Sequence, residues 1–187
     1  MSAPAWRSER KGGVTVSSPV RRGAVRDDLE HIFRTTYPRV VAVAARVLGS
    51  RGEAEDVAQE VFLTFGRSSV PAGEAAGWLS VAAAHTALNH LRTGRRRASR
   101  EEAVADGDAV SPDIADAVVT LDERRRVRAA LARLPRRQAI ALVLRHSGLS
   151  YAEVAAALDL SPGSVGTTVR RAESALRKEL NRHASSD

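Results

Sequence analysis

The chain of 187 residues has no cysteine, a single methionine and few aromatic residues: two Trp, two Tyr and three Phe. Without cysteine there can be no disulfide, no thiolate metal site and no cysteine nucleophile. No apolar run approaches the roughly 18 residues a membrane span requires, so no membrane insertion is expected. No charged-then-apolar leader with a small-residue cleavage site opens the sequence, so the expected location is cytoplasmic. Glycine-rich phosphate loops, a serine in a nucleophile elbow and helical His pairs with a supporting carboxylate are also lacking. An enzyme is therefore the poorest reading, and no cofactor and no metal is expected. Lysine is nearly absent, and the 29 cations are almost all arginine. With alanine also abundant, that bias has a bland explanation in codon usage alone.

What is present is 43% hydrophobic residues, too apolar for a fully disordered chain, and a net charge of +7. A basic balance favours polyanionic partners, nucleic acid first. The charge is unevenly placed. Residues 1–26 carry +5, residues 27–92 carry −2, residues 93–121 carry −2 and residues 122–187 carry +6. A basic tail and a basic C-terminal block thus enclose an acidic region. The tail, with Gly12-Gly13, Pro4, Pro19 and several serines, has no apolar period and reads as disordered. Residues 98–116, with Glu101, Glu102, Asp106, Gly107, Asp108 and Pro112, read as a linker.

In the first block, Leu29, Ile32, Phe33, Tyr37, Val40, Val41, Ala44, Val47 and Leu48 recur at helical spacing, which predicts one buried face. Pro38 predicts a kink or short break within it. A second helix follows over Glu53–Phe65, with acids in its first turn, where the helix dipole favours them, and an apolar stripe of Val57, Val61, Phe62 and Phe65. A Gly/Ser/Pro loop leads to a third helix over about 74–94, whose inner face is Trp78, Leu79, Ala82, Ala83, Leu88 and Leu91. Arg92, Arg95, Arg96 and Arg97 crowd its end. By itself this is equally a three-helix unit with a solvated acidic face and arginines that complement a helix C-terminus.

The second block is more specific. A helix over Ile114–Leu134 is followed by Pro135, suited to a first helical position, and a helix continuing to His146, stopped by Gly148. Ser150-Tyr-Ala-Glu153 is a capping box, and Val154, Ala155 and Leu158 face inward from a short helix. Asp159-Leu160 makes the turn. Ser161-Pro162 caps a last helix, with Val165, Val169, Ala172 and Leu176 on one side and Arg170, Arg171, Arg177 and Lys178 alongside. Two short helices, a tight turn and a basic second helix form a helix-turn-helix, whose second helix enters the major groove. The bland alternative is a helical hairpin with no DNA role.

Together the blocks resemble sigma factors of the extracytoplasmic-function (ECF) group of the sigma-70 family. Tyr37-Pro38-Arg39, the run Gly49–Phe62 containing Ala54-Glu-Asp-Val-Ala-Gln-Glu-Val-Phe62, Gly77-Trp-Leu79, and Ala87-Leu88 with Leu91-Arg92 are similar to region two. Leu131–Pro135, Gly148–Ala155, Val165 and Arg171-Ala172 are similar to region four. The resemblance implies an all-α fold: a region-two helical bundle over 27–97 and a region-four helix-turn-helix over 117–180, joined by a flexible linker, with a short tail at 181–187. It implies that Asp56, Gln59, Glu60, Phe62 and Leu63 meet the basic clamp helices of core RNA polymerase. It places His85, Asn89, Arg92, Arg95 and Arg96 toward promoter DNA at the −10 element, with loop 66–76 offering a pocket to a flipped base. It places Ser161, Ser164, Thr167, Thr168, Arg170 and Arg171 toward the −35 element. An anti-sigma factor is a usual partner in the family.

Two helices depart from the family pattern. Where the third helix commonly carries arginines and an asparagine before an aspartate, this chain has Val81, Ala84, His85 and Asn89. Where the recognition helix commonly reads Thr-Val-Lys-Ser-Arg, this chain reads Ser164-Val165-Gly166-Thr167-Thr168. Trp78 reads as a core anchor before a stacking platform, and His85 with Asn89 as either DNA contacts or surface polar residues. The leading reading is an alternative sigma factor. A polymerase-binding regulator with weakened promoter recognition and a plain helix-turn-helix regulator stand as alternatives.

Overall fold

A computed structural model describes the backbone of residues 26–101 and 115–184 and the side chains of 26–94 and 122–182. Helix α1 spans Leu29–Leu48 and buries Ile32, Val40, Val43, Ala44, Val47 and Leu48. Gly49 ends it at φ 74°, in the left-handed region that lets the chain turn sharply. A Cβ there would also meet the Arg128 guanidinium, which, as the end of a flexible side chain, can shift, so it is the backbone conformation that favours glycine. Ser50, which accepts the Glu53 N–H, then caps α2, Arg51–Gly66. A single 3-10 turn, Ala72–Glu74, leads into α3, Ala75–Glu101. The second block follows as α4 (Ala115–Arg133), α5 (Arg136–His146), α6 (Tyr151–Leu158) and α7 (Pro162–Ala184). The described residues are helices and their connections, which is the expected all-α class.

Helices α1, α2 and α3 pack on one another, and α4 to α7 form the second bundle. Both bundles use α3. Val81, Ala82, Ala83 and Ala84 are four consecutive buried residues, so this stretch of α3 is covered on every side. The apolar core runs continuously from Ile32 through Leu88 to Ala172. The side of α3 that holds Trp78, Leu79 and Ala82 is the inner face the periodicity predicts. Its other side, the stripe Gly77, Val81, Ala84, Leu88 and Arg92 at spacings of four, three, four and four, carries residues that touch α4 and α6 at both ends. Burial of that stripe depends on the second block.

Several expectations need correction. Pro38 neither breaks nor interrupts α1, which is continuous through it. The proline ring lies on the exposed side, and buried residues before and after it hold the helix to its neighbours. Phe33 is not part of the buried stripe; it is 41% exposed at the start of α1. α3 continues past Gly94, and the second-block helices take in residues 115–116 and 181–184, so helix replaces both margins of the expected linker and the start of the final tail. Pro135 is the cap before α5 and not its first residue. The basic tail up to residue 25 and the linker core at 102–114 lie outside the described residues. Arg26, counted with the tail, is instead anchored: it donates to the Asp28 carboxylate (2.7 Å) and the Val70 carbonyl (2.6 Å) and lies 4.2 Å from the Phe65 ring centroid.

The helix-turn-helix forms as the sequence predicts. Ser150 and Glu153 make both halves of the capping box. Asp159 adopts φ 55°, ψ 53°, a left-handed conformation that costs an L-residue about 1–2 kcal/mol. Asp159→Gly is therefore expected to stabilise the protein by about 1 kcal/mol. An upward shift of the urea midpoint at unchanged slope would register this; no shift would mean the turn is not strained.

Candidate protein and nucleic-acid interfaces

The first surface belongs to α2. Its buried side is Ala54, Val57, Ala58, Val61, Phe62 and Phe65, which turns Asp56, Gln59, Glu60 and Leu63 outward. Leu63 is 65% exposed and Phe33 41%, and both line one groove, so together they form an exposed apolar patch. Glu60 also approaches His90 Nε2 at 3.7 Å, an ion pair only when that imidazole is protonated. Phe62 differs from expectation. It is 4% exposed, because its ring packs on Phe33 at 4.9 Å and on Tyr37 at 6.1 Å between centroids. It forms the floor of a groove of about 630 Å³ that Leu29, Phe33, Gln59 and Leu63 also line. Leu29 and Phe33 were missed as surface residues, since helical spacing assigns them to the same stripe as Ile32. The surface is an apolar groove whose rim carries Asp27 and Glu30 together with Arg26 and Arg67, next to the outward carboxylates of Asp56 and Glu60.

The second surface is the side of α3 expected to meet DNA, and here the second block occupies it. Arg92 donates through Nε to the Ala132 carbonyl and through Nη2 to the Leu134 carbonyl, both at 2.9 Å. These carbonyls lie at the C-terminal end of α4, where unpaired acceptors and the dipole favour a cation. Arg136 donates to His85 Nε2 at 2.8 Å and to Asn89 Oδ1 at 2.9 Å. A guanidinium only donates, so Nε2 is the acceptor and the imidazole is neutral. Burial, followed by the charges of Arg136 and Arg92, accordingly holds the His85 pKa below the ordinary imidazole value. His85 and Asn89 are thus brought together with Arg92, although through Arg136, a residue sequence reasoning did not single out. The side chains of Arg95 and Arg96 lie outside the described residues. Trp78 is 4% exposed, 5.8 Å from the Phe65 ring, and serves as a core anchor.

Near the start of α3 the two blocks meet again. Arg39 Nη2 lies 2.7 Å from Glu153 Oε1, while Glu153 Oε2 accepts the Ser150 N–H at 2.7 Å. The Arg39 hydrogen bond, then the Ser150 N–H and hydroxyl, hold the Glu153 carboxyl down to about 2. A Cβ built on Gly77 would lie 3.5 Å from the Ala157 Cβ, an ordinary van der Waals contact, so α3 and α6 run close here with room for a methyl group. Between them and the loop end is a cavity of about 440 Å³ lined by Gly73, Glu74, Gly77, Trp78, Glu153 and Ala157, among others. This cavity touches the end of loop 66–76 at Gly73, Glu74 and Ala76, and α6 forms one of its walls.

The third surface is the exposed end of α7. Ser161 accepts the Ser164 N–H at 3.2 Å, and Thr168 donates to the Ser164 carbonyl at 2.8 Å. Ser161, Ser164, Thr167, Arg170 and Arg171 are exposed and Thr168 is half-buried. Pro162 has no N–H, and those of Ser164 and Val165 are bonded to Ser161, so the helix presents hydroxyls and two arginines, which suits a phosphate backbone with base edges beside it. Arg137 braces the preceding turn by donating to the Leu158 carbonyl at 3.1 Å. Tyr151, 46% exposed beneath the Arg145 guanidinium at 4.9 Å, stands beside this end.

Comparison with known proteins gives the same division. Residues 32–97 match the model of sigma-70 region 2, and residues 124–176 match that of sigma-70, region 4. Over 97% of its length the chain is 31% identical to the ECF RNA polymerase sigma factor SigK of Mycobacterium ulcerans, covering 99% of that protein. It is 33% identical to SigK of Mycobacterium bovis, over 78% of this chain and 82% of the relative. The sigma factor RpoE of Bartonella quintana, solved with the anti-sigma factor NepR, superposes at a TM-score of 0.49, with 22% identity over 83% of this chain and 98% of that one. No described helix is long and apolar enough to cross a membrane.

The Glu153 geometry has a pH signature. Its folded pKa, about 2, lies below the ordinary 4.5. The stabilisation is therefore complete above that ordinary value and is lost as pH falls through it toward the folded one. Glu153→Gln keeps the capping box but removes the charge. The variant should unfold at lower urea than the wild type at neutral pH and converge with it in acid; a pH-independent difference would remove the charge from the account.

Proposed function

The chain belongs to the ECF group of the sigma-70 family of RNA polymerase sigma factors, and we propose that it divides the work of promoter selection among the three surfaces described. As an alternative sigma factor it binds core RNA polymerase and directs initiation at promoters. In the proposed assignment, Asp56, Gln59, Glu60 and Leu63, with Phe62 beneath them, take the basic clamp helices of the polymerase. His85, Asn89 and Arg92 on α3, continued by Arg95 and Arg96, hold the opened −10 region. Ser161, Ser164, Thr167, Thr168, Arg170 and Arg171 read the −35 element in the major groove. Bond making is left to the core polymerase, so the chain itself is not an enzyme, and it works in the cytoplasm, where the polymerase is.

One observation carries this reading: two exposed surfaces of opposite character stand on two matched blocks. The α2 surface is acidic and apolar, with Leu63 among carboxylates, which fits protein and repels phosphate. The α7 surface is a capped helix N-terminus followed by arginines, which fits DNA. A single polyanion-binding surface would not explain the first.

Run-off transcription with core polymerase on genomic fragments tests the function, and discrete start sites that depend on this chain are expected. Asp56→Arg with Glu60→Arg puts cations against the basic clamp and should weaken holoenzyme formation by at least about tenfold, while leaving the melting curve unchanged, because both side chains are exposed. Arg171→Ala should weaken binding to the promoter duplex and reduce the slope of log affinity against log salt by about one unit. Thr167→Ala should weaken it with no change of slope. Unaltered DNA affinity in both would remove α7 as the reader.

A further inference from the structure

We propose that the basic N-terminal segment of the chain docks into the groove between α1 and α2, with Trp6 as its apolar anchor, and so competes with RNA polymerase for that surface. The competition rests on the sigma-factor assignment above; the docking does not.

The groove of about 630 Å³ is floored by Phe62 and walled by Leu29, Phe33 and Leu63. Two neighbouring helices thus turn large apolar side chains to one opening, and nothing among the described residues covers it. Apolar surface left in water favours any apolar segment that can cover it.

Three features name the occupant. The first is position. Arg26, the first described residue, itself lines the groove. The Asp28 carboxylate, the Val70 carbonyl and the Phe65 ring pin it there. The preceding 25 residues therefore leave the fold at the rim of the groove, and tethering supplies an effective concentration in the millimolar range. The second feature is chemistry. Trp6 is the one aromatic residue of that segment, and Arg7, Arg10 and Lys11 follow it against a single acid, Glu9. An indole beside cations complements an apolar hollow beside carboxylates. Asp27 and Glu30 stand on the rim, and α2 alongside carries four acids against one arginine. Of the two arginines on the rim, Arg26 is neutralised by Asp28, which leaves Arg67 to oppose the incoming cations. The third feature is reach. Trp6 lies twenty positions before Arg26. An extended chain covers up to about 3.3–3.6 Å per position, whereas the 16 residues of α2 span about 24 Å. Trp6 can therefore reach every part of the groove.

The consequence is a threshold for holoenzyme formation. Polymerase binds the chain when the groove is empty, so its apparent affinity falls by the fraction of chain in that state. A contact whose dissociation constant is half the effective concentration fills about two thirds of the grooves and weakens polymerase binding about threefold.

The chain has two tryptophans, and Trp78 is 4% exposed, so quenching by neutral acrylamide reads Trp6. Trp6→Ala supplies the Trp78 background. In the free full chain Trp6 should be quenched at most about half as steeply as in a synthetic peptide of residues 1–25, and Leu63→Ser, at an exposed position, should raise its quenching about twofold. Quenching equal to that of the peptide, or no response to Leu63→Ser, would overturn the docking. Protection that appears only when promoter DNA is added would make the segment a nucleic-acid arm and overturn it equally. In a titration with core polymerase, Trp6→Ala should lower the concentration for half-maximal holoenzyme formation about threefold. An unchanged value would sink the competition, and a higher one would make Trp6 a polymerase contact instead. Wild type that does not bind core polymerase at all would remove the sigma-factor assignment and the competition with it. The quenching arm, read without polymerase, still decides the docking.

Discussion

Burial of α3 on every side is the constraint from which the rest of the structure follows. A helix normally commits one face to a core and leaves the other to water. Here Val81 to Ala84 are all buried, and the helix is the wall that both bundles share. Small side chains make this feasible, since alanine and glycine let two layers approach one helix without voids. The consequence is functional, because the side of α3 turned toward the second block is the side the family assigns to the −10 element.

The polar contacts that join the blocks are made by arginines: Arg39 on Glu153, Arg136 on His85 and Asn89, and Arg92 on the end of α4. Only modest free energy attaches to such half-exposed pairs, so burial of the apolar side of α3 carries most of the contact. The same residue type serves α7, where Arg170 and Arg171 remain exposed. The net charge of +7 therefore divides into cations used inside the molecule and cations turned outward, while α2 keeps an acidic surface of its own.

Local features were legible in the sequence. The Ser150–Glu153 box that caps α6 is complete, and Asp159 makes the turn where the family commonly has glycine; the Ser50 cap was not read, and α2 begins at Arg51 where spacing began it at Glu53. The buried side of α2 and the surface of α7 likewise follow from spacing. The misreadings share one cause: helical spacing says which residues lie on the same side, not what covers that side. It assigned both Phe33 and Phe62 to buried stripes, which holds for Phe62 and fails for Phe33; the resemblance, not the spacing, had turned Phe62 outward, and ring packing leaves Phe33 at the groove with Phe62 under it. Pro38 signalled a kink or a short break, and the break is absent: α1 is continuous through it, with buried residues on either side.

The sequence by itself determined the helices, their caps, the helix-turn-helix, the separation of charge and the family. Each of these depends on residues within a few positions of one another, or on patterns repeated along one helix. Only the tertiary structure decided what meets the second side of α3 and which arginines are free. Arg39 and Glu153 are 114 residues apart, and Arg136 lies 51 residues from His85. Nothing in local spacing encodes such pairs. They arise because an apolar stripe on α3 must be covered, and the block that covers it brings its arginines along.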